Sequence, residues 1–322
     1  MKNLTSGKPL KQILVFAVPL FIGQLFQLFY SLVDTRIVGE TLGETSLAAV
    51  GATTTLSDML TGLLNGFTNG SAIIVASYFG AGDEKNMKKA AGGTVVLGTG
   101  AAVLISILCL AFLSPILRIL HIDAEILAES KSYISVILAG LLAAAFYNVC
   151  AAILRAVGDS LTPLLFLIFA SFLNIFLDYM FILHLHMGVA GAAYATVVSQ
   201  AGSALLCFCY MRRKYPQLAL RKEDVRLSKA VVKKLLPTGL SMGFMVSFVS
   251  LGTLALQTSI NTFGTNIIVA HTAARKATSI FMLPFSVLGA TLATYCGQNL
   301  GAGKYERIKT GIRDTVLLTF GW

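Results

Sequence analysis

Residues Ser171-Phe172-Leu173-Asn174-Ile175-Phe176-Leu177-Asp178 set an amide and a carboxylate into a run that is otherwise apolar across 162–183. Asn174 and Asp178 stand four residues apart, so a helix carries both on one face, one turn from each other. A carboxylate placed in hydrocarbon costs at least ~3 kcal/mol, so such a group faces a partner or a water-filled cavity and marks an ion or proton path. A second acid, Asp34, closes the first apolar run of the chain in a similar setting. The acids matter only if the runs around them cross a membrane, and the composition says that they do.

At 322 residues the length alone suggests roughly two soluble domains. Mean hydropathy of +0.77 overrules that reading, as do the 56% apolar and 12% charged residues, because an ordinary soluble domain carries about 25% charged residues. The chain is therefore read as an all-α polytopic membrane protein. Its net charge of +10 does not point to nucleic acid: the basic residues cluster in short loops between apolar runs, and no basic stripe with interleaved aromatics appears. Cys109, Cys150, Cys207, Cys209 and Cys296 all lie within apolar runs. Cys207-x-Cys209 has no second pair at zinc spacing, so the cysteines read as small buried apolar residues. Lys2, Lys8 and Lys11 precede the first run as they would in a signal peptide. That run is too long for an h-region and has no small-residue cleavage site, and it is expected to remain as an uncleaved first helix.

At about 20 apolar residues per crossing, the spans fall at 13–33 (with Pro19 inside), 46–78 (with Asp58), within 90–117, and at 132–154, 162–183 and 189–211. A basic connector occupies 212–234. The seventh and eighth spans share a run that begins at Leu235, turns near 261–265 and continues to about Cys296; a ninth begins after Arg313. Placing the N-terminus in the cytoplasm puts twenty of the 25 Lys and Arg residues on the inner side, which fixes the expected orientation.

The chain repeats itself. Phe79-Gly80-Ala81-Gly82-Asp83-Glu84-Lys85 returns as Leu300-Gly301-Ala302-Gly303-Lys304-Tyr305-Glu306, an offset of 221 residues, and Pro19-Leu20 aligns with Pro237-Thr238 at an offset of 218. A repeat unit of six spans enters the membrane twice from the same side. Its halves are then related by an axis along the membrane normal, an arrangement typical of transporters. By that offset the second copy is expected to run to about residue 440, so the sequence reads as C-terminally truncated.

Several stretches together resemble the multidrug and toxic compound extrusion (MATE) family, most closely its DinF-like branch. They are Val33-Asp34-Thr35-Arg36-Ile37-Val38-Gly39 with Leu47-Ala48-Ala49-Val50-Gly51, then Phe79-Gly80-Ala81-Gly82-Asp83, and Leu154-Arg155-Ala156-Val157-Gly158-Asp159 with Pro163. Asn174-Ile175-Phe176-Leu177-Asp178, the run from Gly188 to Thr196, and Gly297-Gln298-Asn299-Leu300-Gly301-Ala302-Gly303 complete the set. Each is weak alone; in this order and spacing they are specific and cover nearly the whole chain.

The resemblance implies twelve helices in two six-helix lobes shaped like a V around a central cavity. On that pattern residues 1–211 are the N-lobe and 212–234 the connector, while 235–322 hold about two and a half helices of the C-lobe. It implies a monomer in the plasma membrane that exports organic, often cationic or amphipathic compounds against inward sodium ions or protons. The family's N-lobe cation site carries over onto Asp34, Asn174, Asp178 and Thr196, and its first-helix bend onto Pro19. The chemistry agrees, since a hard cation takes carboxylate, amide and hydroxyl oxygens; the same acids can instead carry a proton. No other cofactor or metal is implied.

The remaining signals are read from the residues. Asp58, alone in the second span, is a candidate cavity-lining residue. Gly62, Gly66 and Gly70 recur every fourth residue, as a close helix-packing face does. Arg155 and Asp159 have the spacing of an i,i+4 ion pair that would fix the loop between spans four and five. His271 reads as a satisfied packing residue, and His184 and His186 as outer-loop residues. For Arg275 and Lys276, snorkelling and pairing with an acid beyond this sequence are both left open. The alternative function is a lipid-linked oligosaccharide flippase of the same superfamily, for which a more cationic cavity and additional helices are expected. Enzymatic chemistry is not supported, as no metal-ligand cluster, nucleophile elbow or P-loop appears.

Overall fold

The computed structural model describes residues 3–120, 122–221, 223–261 and 265–322, with the side chains at 254, 257, 258, 261, 265–269, 272, 273 and 276 left out. Every regular element among the described residues is helical. The first apolar run, bounded by Gly43, makes α1 (Pro9–Leu42), which passes unbroken through Pro19. Next come α2 (Glu44–Gly80) and α3 (Glu84–Ala111), the latter started by Asp83, whose carboxylate accepts the backbone N–H of Asn86. The short α4 (Leu113–Ile119) follows, then α5 (Ala124–Ala139), α6 (Leu141–Ala156), α7 (Leu161–Tyr179) and α8 (Gly188–Lys214). The chain ends in α9 (Lys229–Asn261), α10 (Thr265–Gly301) and α11 (Tyr305–Gly321). The turn expected near 261–265 therefore lies between α9 and α10, its middle residues 262–264 falling outside the described ones.

Among the described residues, seven helices are long and apolar enough to cross a membrane, or eight if α5 and α6, bent by 42° at Gly140, make one span. These are spans one to eight of the sequence. Their outer faces carry exposed Phe29, Leu32, Phe172, Phe176, Phe248 and Val249, which a water-soluble surface does not collect in such numbers. The protein is a multi-pass membrane protein.

Two expected spans differ from straight crossings. The fourth is broken at Gly140, which lies against Val197 of α8 with no room for a Cβ. Ser106 Oγ donates to Leu138 O at 2.7 Å, satisfying a carbonyl at the break. The fifth ends in a π-helical turn, Met180–His184, directly after α7. Turns of this kind recur at functional sites.

The core is built by close backbone approach. Gly66 and Gly70 of α2 face Gly243 and Gly239 of α9: a Cβ on Gly66 would lie 2.7 Å from Gly243 Cα, and one on Gly62 3.2 Å from Val246 Cγ1. The four-residue glycine spacing is thus a packing face, as the sequence indicates. Cys150 and Cys207 are fully buried between α6 and α8, whereas Cys109 and Cys296 are half-buried and Cys209 is exposed, so the reading of the cysteines as buried holds for two of the five.

The two copies of the repeat meet each other. Gly80 packs on the carbonyl of Gln298, and Gly301, its counterpart 221 residues later, packs on the carbonyl of Ser77, the counterpart of Gln298. Their turns also share geometry: Gly82 and Gly303 have φ of +70° and +68°, and Asp83 N–H and Lys304 N–H bond to Tyr78 O and Asn299 O at 3.0 and 2.9 Å.

Candidate cation-binding site

Four helices bring the polar groups of the opening stretch together. α7 supplies Asn174 and Asp178 on one face, with only 1% and 0% of their surfaces exposed. α1 supplies Asp34, whose carboxylate neighbours that of Asp178. From α8 comes Thr196, which turns its hydroxyl across the helices instead of back onto its own backbone. Asn174 Nδ2 donates to Thr196 Oγ1 at 3.4 Å, and the Tyr30 hydroxyl of α1 lies 3.5 Å from the same oxygen. Tyr133 of α5 closes the group, within electrostatic reach of both acids.

What the site lacks defines its chemistry. Asp34 Oδ1, Asn174 Oδ1 and both Asp178 carboxylate oxygens are buried without a hydrogen-bond partner among the described residues. A buried acceptor left unmatched costs about 1–3 kcal/mol, more where it is charged. Four converging oxygens without donors fit a hard cation or a proton, and no soft ligand stands among them. Asp34, Asn174, Asp178 and Thr196 are thus gathered in one cluster. Asp58 lies apart as an exposed residue of α2. Tyr30 and Tyr133 belong to the cluster but not to the set named from the sequence. Tyr30 did carry a signal, four residues before Asp34 on the same helix face.

A cavity opens below this cluster. Pro19, Gly23, Gln24 and Gln27 of α1 line a space of about 270 Å³ with Asn65 and Asn69 of α2, Asn148 and Arg155 of α6, and Ser286 of α10. It adjoins a second space of about 400 Å³, which shares Asn69, Arg155 and Ser286 and adds Met242, Met245 and Phe285. Pro19 therefore stands on the cavity wall.

Arg155 corrects one expectation. It makes no ion pair with Asp159. Its Nη2 donates to Asn69 Oδ1 at 3.1 Å, while Asp159 accepts from Thr162 N–H at 3.0 Å, Thr162 Oγ1 at 2.7 Å and the Tyr215 hydroxyl at 2.6 Å. α6 stops at Ala156, and Gly158, with φ of +85°, turns the chain before Asp159, so the i,i+4 geometry does not exist. His271 also departs from the satisfied state expected of it: its Nε2 is buried without a partner among the described residues. His184 closes the π-helical turn and His186 follows it with φ of +51°. Arg275 is exposed, and the side chain of Lys276 lies outside the described residues.

The MatE family model matches residues 19–180 and 241–322. The chain belongs to the MATE family. Its members are membrane transporters and not enzymes. The probable multidrug resistance protein YpnP of Bacillus subtilis (strain 168) is 29% identical over 308 residues, 95% of this chain and 68% of that protein. The probable multidrug resistance protein YoeA of the same strain is 27% identical over 313 residues, again 95% and 68%. Among solved structures, the outward-facing conformation of a multidrug resistance MATE family transporter of the MOP superfamily superposes with a TM-score of 0.92 at 28% identity. It covers 99% of this chain and 72% of the other. The twelve-helix, two-lobe MATE fold is thereby the fold of this chain over the part it spans.

Proposed function

We propose that this MATE-family protein is a secondary active exporter of organic compounds. It would work by alternating access of two lobes, taking up sodium ions or protons in exchange. In this reading residues 1–211 form the N-lobe, 212–234 the connector and 235–322 part of the C-lobe. The protein sits in the plasma membrane as a monomer with its N-terminus in the cytoplasm. The observation that carries the reading is the buried Asp34–Asp178 pair, whose oxygens lack donors beside Asn174 and Thr196. The multidrug resistance names of YpnP and YoeA support export of organic compounds.

The coupling follows from which helix holds what. α1 carries Tyr30 and Asp34 at the cation cluster and Pro19, Gly23, Gln24 and Gln27 at the cavity wall. Gln27 and Asp34 are seven residues apart, about 10 Å along the helix axis. A cation or proton at Asp34 and Asp178 removes their mutual repulsion and draws α1 toward α7. The same helix then shifts against the cavity, and Pro19, which interrupts its hydrogen-bond ladder, is the point where it can bend. A ligand biases a two-state motion only through such differential contacts.

The deciding experiment uses the full-length protein in proteoliposomes loaded with a fluorescent organic cation, with sodium and proton gradients imposed in turn. Efflux driven by one gradient and lost in Asp178→Asn is the expected result, and the effective gradient names the ion. Efflux that survives in Asp178→Asn moves the ion site elsewhere. Absence of efflux under both gradients favours the flippase alternative.

A further inference from the structure

We propose that the cavity between α1, α2, α6 and α10 receives the anionic group of an amphiphile, a carboxylate, sulfonate or phosphate, with Arg155 as its counter-charge. The proposal rests on the export reading and names a substrate class for it. Its first support is the charge census. Among the described residues, Arg155 is the one ionised side chain on the walls of the two adjoining spaces, and no Asp or Glu lines either of them. The acids Asp34 and Asp178 belong to the separate cluster above. Arg155 enters no ion pair among the described residues, and its partner Asn69 is neutral. Its Nε and Nη1 have no acceptor in the protein among those residues, although the guanidinium is built to hold two oxygens of a carboxylate or phosphate at once.

The second support is the division of the walls. Around Arg155 the smaller space presents the amides of Gln24, Gln27, Asn65 and Asn148, suited to the oxygens of a polar head. Beyond Arg155 the larger space is walled by Met242, Met245 and Phe285. Thioethers and an aromatic ring adapt to many apolar shapes without fixing one. Together the spaces hold a drug-sized molecule: head against Arg155, tail along α9 and α10. A cationic head would instead meet an unscreened guanidinium. The cavity itself favours anionic or zwitterionic amphiphiles over the cationic compounds that the family resemblance often implies.

The test is equilibrium binding to the full-length protein in neutral detergent at pH 7, with no ion gradient. Three dansyl probes share one alkyl chain and end in a carboxylic acid, its methyl ester or a primary amine. A hydrogen-bonded ion pair contributes about 1.5–3 kcal/mol, so the wild type should prefer the acid to the ester by about tenfold or more. Arg155→Gln should make acid and ester equal, and Arg155→Lys, a point charge without the fork, should keep part of the preference. Asn69→Asp gives Arg155 an internal partner in the same geometry, which keeps the fold intact where Arg155→Gln fails to fold, and it should abolish the preference as well.

Displacement of the acid probe by inorganic phosphate would assign the site to free anions, and displacement by lysophosphatidylglycerol alone to lipid headgroups. Failure of both competitors overturns the proposal. So does equal affinity for acid and ester in the wild type, or a preference that survives in both variants. Binding is read without transport, so an intact acid preference in a protein that exports nothing would reject the export reading and leave this one standing.

Discussion

At the scale of single residues, the polar cluster proposed to bind the cation was legible wherever polarity stood out against an apolar run. Asp34, Asn174 and Asp178 are such positions, and their oxygens are among those left without donors among the described residues. Tyr30 and Tyr133 were not legible, because a tyrosine is at home in an apolar helix and only the third dimension shows where its hydroxyl points. Arg155 was misread for a local reason, since one glycine with positive φ separates it from the acid it was paired with. Two predictions belong here. Ligand binding to the native state raises stability, by about 2.7 kcal/mol at a hundred times Kd. The thermal midpoint of the purified protein should therefore rise when choline chloride is replaced by sodium chloride, or when the pH is lowered. Asp178→Asn should lose that rise while raising the ion-free midpoint, because it removes a buried charge. The second concerns Asp83, outside the membrane, whose carboxyl is held below its ordinary value by hydrogen bonds from the Asn86 backbone and side chain. A lowered pKa contributes stability above the unfolded value, and that stability is lost as pH falls through the folded one. Asp83→Ala should be less stable than wild type at pH 7, and the gap should close below about pH 4; a gap independent of pH would mean that the cap does not depend on the charge.

At the scale of elements, the number and order of spans could be read from hydropathy, and their internal irregularities could not. Nothing in 132–154 announces a 42° bend. The break coincides with the close approach of α8 at Gly140, a tertiary fact. Gly140→Ala must therefore push against Val197. Overpacking of this kind costs about 1–3 kcal/mol, read as a lower midpoint of thermal unfolding in detergent, and Val197→Ala in the same chain should recover part of it. Additive losses in the double variant would show that the two residues do not compete for the same space. Pro19 makes the complementary case, since α1 runs through it unbroken and the bend proposed for it is absent here. Pro19→Ala restores a backbone donor and removes that capacity. Gradient-driven efflux should fall several-fold while the sodium- or proton-dependent rise in thermal midpoint stays, separating movement of α1 from ion binding. Full transport in Pro19→Ala would end the idea that this helix works by bending.

At the scale of the whole molecule, the 221-residue repeat disclosed two related halves, but not that the repeated motif is where they touch. Gly80 and Gly301 are needed there because each lies on a carbonyl of the other copy. Around this contact the chain ends are laced together. Leu4 N–H donates to Gln298 Oε1 at 2.9 Å, and Gln298 Nε2 donates to Ala156 O, at the end of α6, at 2.8 Å. Arg307 holds Gly7 O at 2.7 Å and Leu4 O at 3.2 Å, and Lys304 holds Thr5 O at 2.8 Å. Gln298 is fully buried and spans both halves, so it acts as a clasp on the side where the N-terminus lies. In an alternating-access cycle a clasp of this kind belongs to the state closed on that side and must open in the other. Removing it should shift the balance without touching the cation cluster. Each net hydrogen bond contributes about 0.5–1.5 kcal/mol, so Gln298→Ala combined with Arg307→Ala should move the equilibrium by about tenfold or more toward opening on that side. Spin labels at Lys85 and Lys309, on the two halves at that side, would report it as a longer distance population, while sodium- or proton-dependent stabilisation persists. An unchanged distance distribution would show that the glycine contact alone holds the halves together, and that the strap serves only to anchor the N-terminus.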